Sequence, residues 1–141
     1  MMEWSFEGQM EVAQAIANQW GEWMRANDVQ EVVVEVEGVG ARAAVSSQVQ
    51  HQGQWVNSAL PVELVRLGVD LRVAMGRPGG GAWTWARLSM SSSQGYKLVS
   101  DFNYDREPVL DPPYTAQDVA QELEAFPREP NAIPDWMRIG G

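Results

Sequence analysis

Few side chains in the sequence have types and spacing that favour catalysis. His51 could act as a general base, because histidine titrates near neutral pH, but it lies in a predicted polar loop, Gln50–Gln54, that contains no carboxylate, so we expect an exposed loop histidine. The serines between Ser89 and Ser93 could supply a nucleophile, yet no Gly-x-Ser-x-Gly turn surrounds them. A hairpin turn explains these serines better. We therefore expect that the protein is not an enzyme.

Two other patterns could hold a ligand. Glu31, Glu35 and Glu37 alternate along a predicted strand, so their side chains converge and could bind a cation. A solvated strand face is the commoner cause of such a pattern. The run Gly79–Gly81 could cradle a phosphate, but that requires a strand before the loop and a helix after it. Here the predicted order is reversed, so we expect a flexible connection.

The densest polar segment lies where a predicted strand ends and a proline-rich loop begins. Asp101, Asp105, Glu107 and Asp111 fall within this segment, but their spacing differs from that of a calcium-binding loop, and no glycine turns the chain. Ion pairs that only fix the loop are an equally good explanation. Because binding residues are often found on loops, we predict that five residues contact a partner: Asp101, Tyr104, Asp105, Arg106 and Glu107.

Composition limits the classes of partner. The 141 residues fit a single domain, 1–141, and ten basic against nineteen acidic side chains give a net charge of −9. This charge disfavours nucleic acid and anionic membranes as partners and allows a basic protein. With no cysteine and one histidine, thiol catalysis and multi-histidine metal sites are excluded, so we expect no cofactor. No targeting or spanning segment is visible, so we expect a cytoplasmic protein.

The N-terminal half predicts a helix and a hairpin. Residues 5–26 form a helix capped by Ser5, with one apolar stripe made of Phe6, Met10, Ala13, Ala17, Trp20 and Met24. Residues 30–37 and 41–50 alternate and form a β-hairpin, which 51–57 can extend. The buried side of the first strand consists of Val32, Val34 and Val36.

The C-terminal half predicts a second helix, a second hairpin and a third helix. The second helix starts at Pro61 and ends near Gly76. Residues 82–90 and 95–104 form an antiparallel hairpin whose buried face carries Trp83, Trp85 and Phe102. Thr115 and Asp118 form a capping box for the last helix, and Ile133, Trp136 and Met137 anchor the tail 128–141.

These elements together predict an α+β fold. The order is α-β-β-α-β-β-α, and the short connections favour an antiparallel sheet of about four to six strands with helices packed on it.

Residues 82–138 also resemble a known family. The matching pieces are Asp101–Pro108, Tyr114, the Glu122-Leu123-x-x-Phe126-Pro127-Arg128 stretch, and Ile133-Pro134-x-Trp136-Met137. In combination these pieces are similar to the C-terminal signature of the YezG-like family of small bacterial antitoxin or immunity proteins. The resemblance implies an α+β fold without catalytic activity. It also implies inhibition by binding one cognate secreted toxin, often a nuclease or an NAD-degrading enzyme.

The acidic composition is compatible with that expectation. Asp101, Asp105 and Glu107 could mimic phosphates in a basic toxin site, with Tyr104 as an anchor. An alternative function follows from the predicted element order, which is similar to that of acidic secretion-system chaperones. Such a chaperone binds an extended effector segment, whereas an immunity protein binds a folded toxin domain.

Overall fold

The computed structural model describes residues 5–138, so the parts of the predictions that concern residues 1–4 and 139–141 lie outside the described residues. Within that range the α-helices and strands follow in this order: α1 (Phe6–Asn27), β1 (Val29–Val39), β2 (Arg42–His51), β3 (Gln54–Asn57), α2 (Val62–Ala74), β4 (Trp85–Ser91), β5 (Val99–Asn103) and α3 (Ala116–Ala125). Single 3-10 turns occupy Ser92–Gln94, Pro130–Ala132 and Asp135–Met137.

The five strands form one antiparallel sheet in the order β3-β2-β1-β4-β5, with helices packed on it, which confirms the predicted α+β class. The predicted extension of the first hairpin is a separate strand, β3, which adds one strand to the predicted order. Gln52 and Gly53 both have positive φ, 51° and 79°, and this backbone turns the chain tightly between β2 and β3.

α1 begins where its cap predicts. The Ser5 side chain accepts a hydrogen bond from the Gly8 backbone N–H at 2.9 Å. The buried positions are Ile16, Trp20, Gly21 and Met24, which lie from the middle of the helix to its last turns. Phe6 and Met10 are exposed, so the predicted stripe is wrong for the first turns, because only the later part of α1 is covered by the core.

β1 lies at the centre of the sheet and follows its predicted alternation. Val32, Val34 and Val36 are fully buried and belong to the main core with Ile16, Trp20 and Met24 of α1. The Trp20 Nε1–H donates to the Leu64 carbonyl at 2.9 Å, which ties α1 to α2. α2 approaches the sheet closely at Gly68, where an added Cβ would lie 3.3 Å from a Val36 methyl.

The second hairpin forms as predicted, but the assignment of faces on β4 was wrong. Ala86, Leu88 and Met90 face the helices and are buried, while Trp85 lies on the opposite face and is half-buried. Trp83 precedes β4 and turns its ring into the core, 5.6 Å from the Phe102 ring. β4 pairs with β1 as well as with β5, and the valines of β1 therefore decide which face of β4 is covered.

A second, smaller core closes the end of the sheet. Val39, Leu110, Val119 and Met137 are buried in it, and Ile133 and Trp136 pack against it as the tail prediction expects. The Thr115–Asp118 capping box of α3 is present. Its Asp118 carboxylate accepts from the Thr115 backbone N–H and lies beside Arg42, and these contacts lower the pKa of Asp118.

A buried ion pair joins the two cores. Arg72 of α2 donates from Nη2 to Glu122 Oε1 of α3 at 2.6 Å, and Arg72 Nε donates to the Trp83 carbonyl at 2.8 Å. The same Glu122 oxygen accepts from the Gly40 backbone N–H at 2.8 Å. Both charged side chains are buried, so the cost of removing each charge from water is offset mainly by its attraction to the other.

We expect Glu122→Ala to destabilise the fold by about 3–5 kcal/mol, because it leaves the Arg72 charge buried without a partner. The double variant Arg72→Met/Glu122→Leu should be more stable than that single variant, since no buried charge remains. Urea unfolding followed by circular dichroism measures both. Glu124→Ala, an exposed position on the same helix, is the matched control and should change stability by less than about 0.5 kcal/mol. Equal losses for Glu122→Ala and Glu124→Ala would contradict this role of the ion pair.

Candidate functional site

α1 and α2 cover only one face of the sheet. The other face is formed by alternate residues of the strands and is exposed over much of its area; we call it the open face. Its central residues are Glu31, Val33 and Glu35 of β1, Ser46 and Gln48 of β2, Trp55 and Asn57 of β3, Arg87 and Ser89 of β4, and Val99 and Asp101 of β5. Such a face can accommodate a flat or convex partner.

A row of charges crosses the open face. Glu35 is paired in register with Ser46 on one side and Arg87 on the other, and Arg87 is paired with Asp101. Neighbouring positions in paired strands lie on the same face, so Arg87 is flanked by two carboxylates. A shallow depression of about 130 Å³ lies next to this row, lined by Val33, Glu35, Ser46, Gln48 and Arg87.

The loop after β5 borders the open face at one end. Arg106 stacks over the Trp85 ring at 4.9 Å and lies 3.7 Å from the Glu37 carboxylate. The Val109 backbone N–H donates to the same carboxylate at 3.2 Å. The open face and its border together carry four carboxylates, those of Glu31, Glu35, Glu37 and Asp101, and two guanidinium groups, those of Arg87 and Arg106. This surface is therefore acidic.

The five predicted partner-binding residues do not form one cluster. Asp101 lies on the open face, and Arg106 lies at its border. Tyr104 is half-buried against the main core, on the helix side. Asp105 contacts Arg128 of the tail, and Glu107 contacts Tyr114 in the loop before α3, so neither contact involves the open face.

Asp105 belongs to a structural cradle around Arg128. The buried Arg128 guanidinium donates to three backbone carbonyls, those of Ala82, Tyr104 and Ala132, and lies 3.3 Å from the exposed Asp105 carboxylate. The predicted flexible glycine run is part of this cradle. The Glu129 N–H donates to the Gly79 carbonyl at 2.7 Å, and a Cβ on Gly81 would lie 2.5 Å from Arg128 Nε.

Tyr114 and Trp136 connect the loop after β5 to the tail. The Tyr114 hydroxyl donates to the Glu107 carboxylate, and the Tyr114 ring meets the Trp136 ring edge-on at 5.4 Å. Burial, with a further contribution from Glu107, raises the pKa of Tyr114 to about 12. Trp136 Nε1–H donates to the Asp105 carbonyl at 2.8 Å. The polar motif and the tail are therefore bound to each other.

The other sequence candidates have local roles. His51 is the last residue of β2, not a loop residue, and its Nδ1 lies 3.0 Å from the Asp28 carbonyl. Ser91 and Ser93 hydrogen-bond to each other beside the hairpin turn. Within residues 5–138, no three histidine, cysteine or acidic side chains are placed to hold a metal ion. The helices in that range are all too short or too polar to span a membrane.

Sequence reasoning missed Glu35 and Arg87 as members of one surface. The alternation Glu31, Glu35, Glu37 was visible and predicted an exposed strand face. The row with Arg87 and Asp101 depends on the β1–β4 pairing, which joins strands separated by a helix in the sequence and has no local signal.

We expect Arg128→Lys to destabilise the protein by about 2–3 kcal/mol, because one ammonium group cannot satisfy the separate carbonyls that the guanidinium reaches. Asp105→Asn should cost less than about 1 kcal/mol, since the Asp105 carboxylate is largely exposed. Thermal unfolding of both variants measures this difference. A larger loss for Asp105→Asn than for Arg128→Lys would show that the exposed ion pair, and not the backbone contacts, stabilises the cradle.

No protein-family model matches the chain, and no curated protein matches it. Three features bear on function: the open face, the charge of the chain and the resemblance of its C-terminal motifs.

Proposed function

We propose that the protein is an immunity protein that binds one cognate secreted toxin in the bacterial cytoplasm and blocks it, and that the open face is the contact surface. The observation that supports this most is the acidic row Glu35–Arg87–Asp101 on the sheet face opposite α1 and α2. Blocking by occlusion needs a rigid surface, and paired strands provide one.

Charge favours a basic target. Toxins that act on nucleic acids or nucleotides tend to have basic sites, and a protein of net charge −9 is attracted to such a site from a distance. Glu31, Glu35 and Asp101 can then pair with basic side chains of the toxin, while Trp55, half-exposed on the same face, supplies an aromatic contact.

The motif resemblance supports the same class of function, but the contacts of the motif residues indicate that most of them stabilise the fold and do not bind the toxin. Asp105, Glu107 and Arg128 make contacts within the chain. On this proposal they hold the fold and the border of the open face, and the toxin is contacted by residues outside the motif, together with Asp101 and Arg106.

The test is a binding experiment with the product of the adjacent gene. Protection from growth arrest on co-expression, and the dissociation constant by calorimetry, would be measured for the parent and for Glu35→Gln/Asp101→Asn. We expect this neutralised variant to bind about tenfold or more weakly, mainly through slower association, and to show a weaker salt dependence.

Glu11→Gln/Glu124→Gln is the matched control, because it removes two exposed carboxylates from α1 and α3 and changes the net charge equally. It should bind almost as tightly as the parent. Equal affinity of the two folded double variants would exclude the open face as the contact surface. Binding that requires an unfolded effector segment would instead indicate a secretion chaperone.

A further inference from the structure

β3 is an edge strand whose outer side has no partner among the described strands. In the β2–β3 ladder the Ser58 N–H donates to the Ser47 carbonyl at 2.9 Å, so the backbone groups of alternate residues, Val56 and Gln54, also point toward β2. The N–H and C=O groups of Trp55 and Asn57 therefore point outward. All four residues of β3 are exposed, with Trp55 at 48% and Val56 at 43%.

This edge lacks the devices that usually protect an edge strand. Lysine, proline or an inward-pointing charge normally prevents an exposed edge from pairing with another chain. From Gly38 to Val62 the sequence contains no carboxylate, and its charged or titratable residues are Arg42 and His51. Arg42 is hydrogen-bonded to the Pro112 and Pro113 carbonyls, at the far end of β2 from the β3 turn.

The opposite edge is different. β5 carries Asp101, and Lys97 and Asp105 flank it closely. This edge therefore carries and adjoins the charged side chains that keep an exposed edge from pairing with another chain.

Charge also favours one kind of partner for the β3 edge, a second copy of the chain. Two chains of net charge −9 repel each other, so stable contact between copies requires a surface without carboxylates. A basic partner gains nothing from an uncharged edge, whereas a second copy avoids repulsion there. On the helix side, Val56 remains 43% exposed and supplies apolar area for such a contact.

We propose that the protein forms a homodimer through antiparallel pairing of β3 with β3 of a second copy, centred on Val56. In this register Trp55 of each copy lies opposite Asn57 of the other. Their outward N–H and C=O groups then form four backbone hydrogen bonds, and the two Val56 residues face each other as a non-hydrogen-bonded pair. The two sheets become one ten-stranded sheet, with both helix layers on one side and both open faces on the other.

The oligomeric state tests this without a toxin, so its outcome is independent of the proposed function. Sedimentation velocity across a concentration series should show the parent converting from monomer to dimer. Dimerisation should strengthen as salt is added, because salt screens the repulsion between the two acidic chains. A parent that stays monomeric at every concentration and salt level would overturn the proposal.

Val56→Lys should weaken the dimer by about 100-fold, because it places two ammonium groups opposite each other on the symmetry axis. Val99→Lys is the matched control, since Val99 is a similarly exposed valine on the other edge strand, and it should leave the dimer intact. Asn57→Pro provides a second variant: it removes an outward N–H and costs no ladder bond within the monomer. A dimer lost in Val99→Lys but kept in Val56→Lys would assign the contact to β5 and overturn the proposal.

A crosslink tests the register. The chain has no cysteine, so Val56→Cys introduces a single thiol. Facing residues of a non-hydrogen-bonded pair have Cα atoms about 4.5 Å apart, a separation that a disulfide can bridge. Mild oxidation should convert Val56→Cys, and not Val99→Cys, into a covalent dimer. Equal or slower crosslinking of Val56→Cys would exclude the Val56-centred register.

Discussion

The ion pair between Arg72 and Glu122 is the contact on which the arrangement of the C-terminal half depends. It connects α2, which packs on the sheet, to α3, which closes its end, and both charges are buried. Two nearby glycines have little room for a side chain: a Cβ on Gly38 would lie 3.2 Å from Arg72 Nε, and one on Gly76 would lie 2.4 Å from the Phe126 ring. Because a buried charge tolerates few alternative partners, the pair favours a single placement of α3.

That placement explains why the C-terminal motifs act within the chain. Arg128 lies shortly after α3 in the chain, so the position of α3 also determines where the Arg128 side chain lies. Its guanidinium donates to the backbone carbonyls of Ala82, Tyr104 and Ala132. Asp105, Glu107, Tyr114 and Trp136 complete these contacts. The motif residues thus largely hold the loop and tail together, and this is why the proposed contact surface is the sheet and not the motif.

The sheet then offers two surfaces of different character. The open face is acidic and suits a basic partner, whereas the β3 edge carries no carboxylate and suits a second copy of the chain. Doubling the sheet would place two open faces side by side, so the two proposals are compatible without depending on each other. The asymmetry comes from the sequence itself, in which all acidic residues lie outside 38–62.

The sequence alone determined the features whose causes are local. The Ser5 cap, the Thr115–Asp118 box and the alternating valines of β1 were predicted correctly because capping and burial patterns involve residues within a few positions of each other. Tertiary structure alone decided that Trp85 faces away from the core, that Asp105 contacts Arg128 of the tail, and that the glycine run lies against Arg128. Each of these depends on pairing or packing between distant segments, β1 with β4 or α2 with α3. Which distant segments come into contact is determined by the burial of apolar surface and the pairing of charges in the whole fold. Neither segment carries a periodic sequence pattern that indicates its partner.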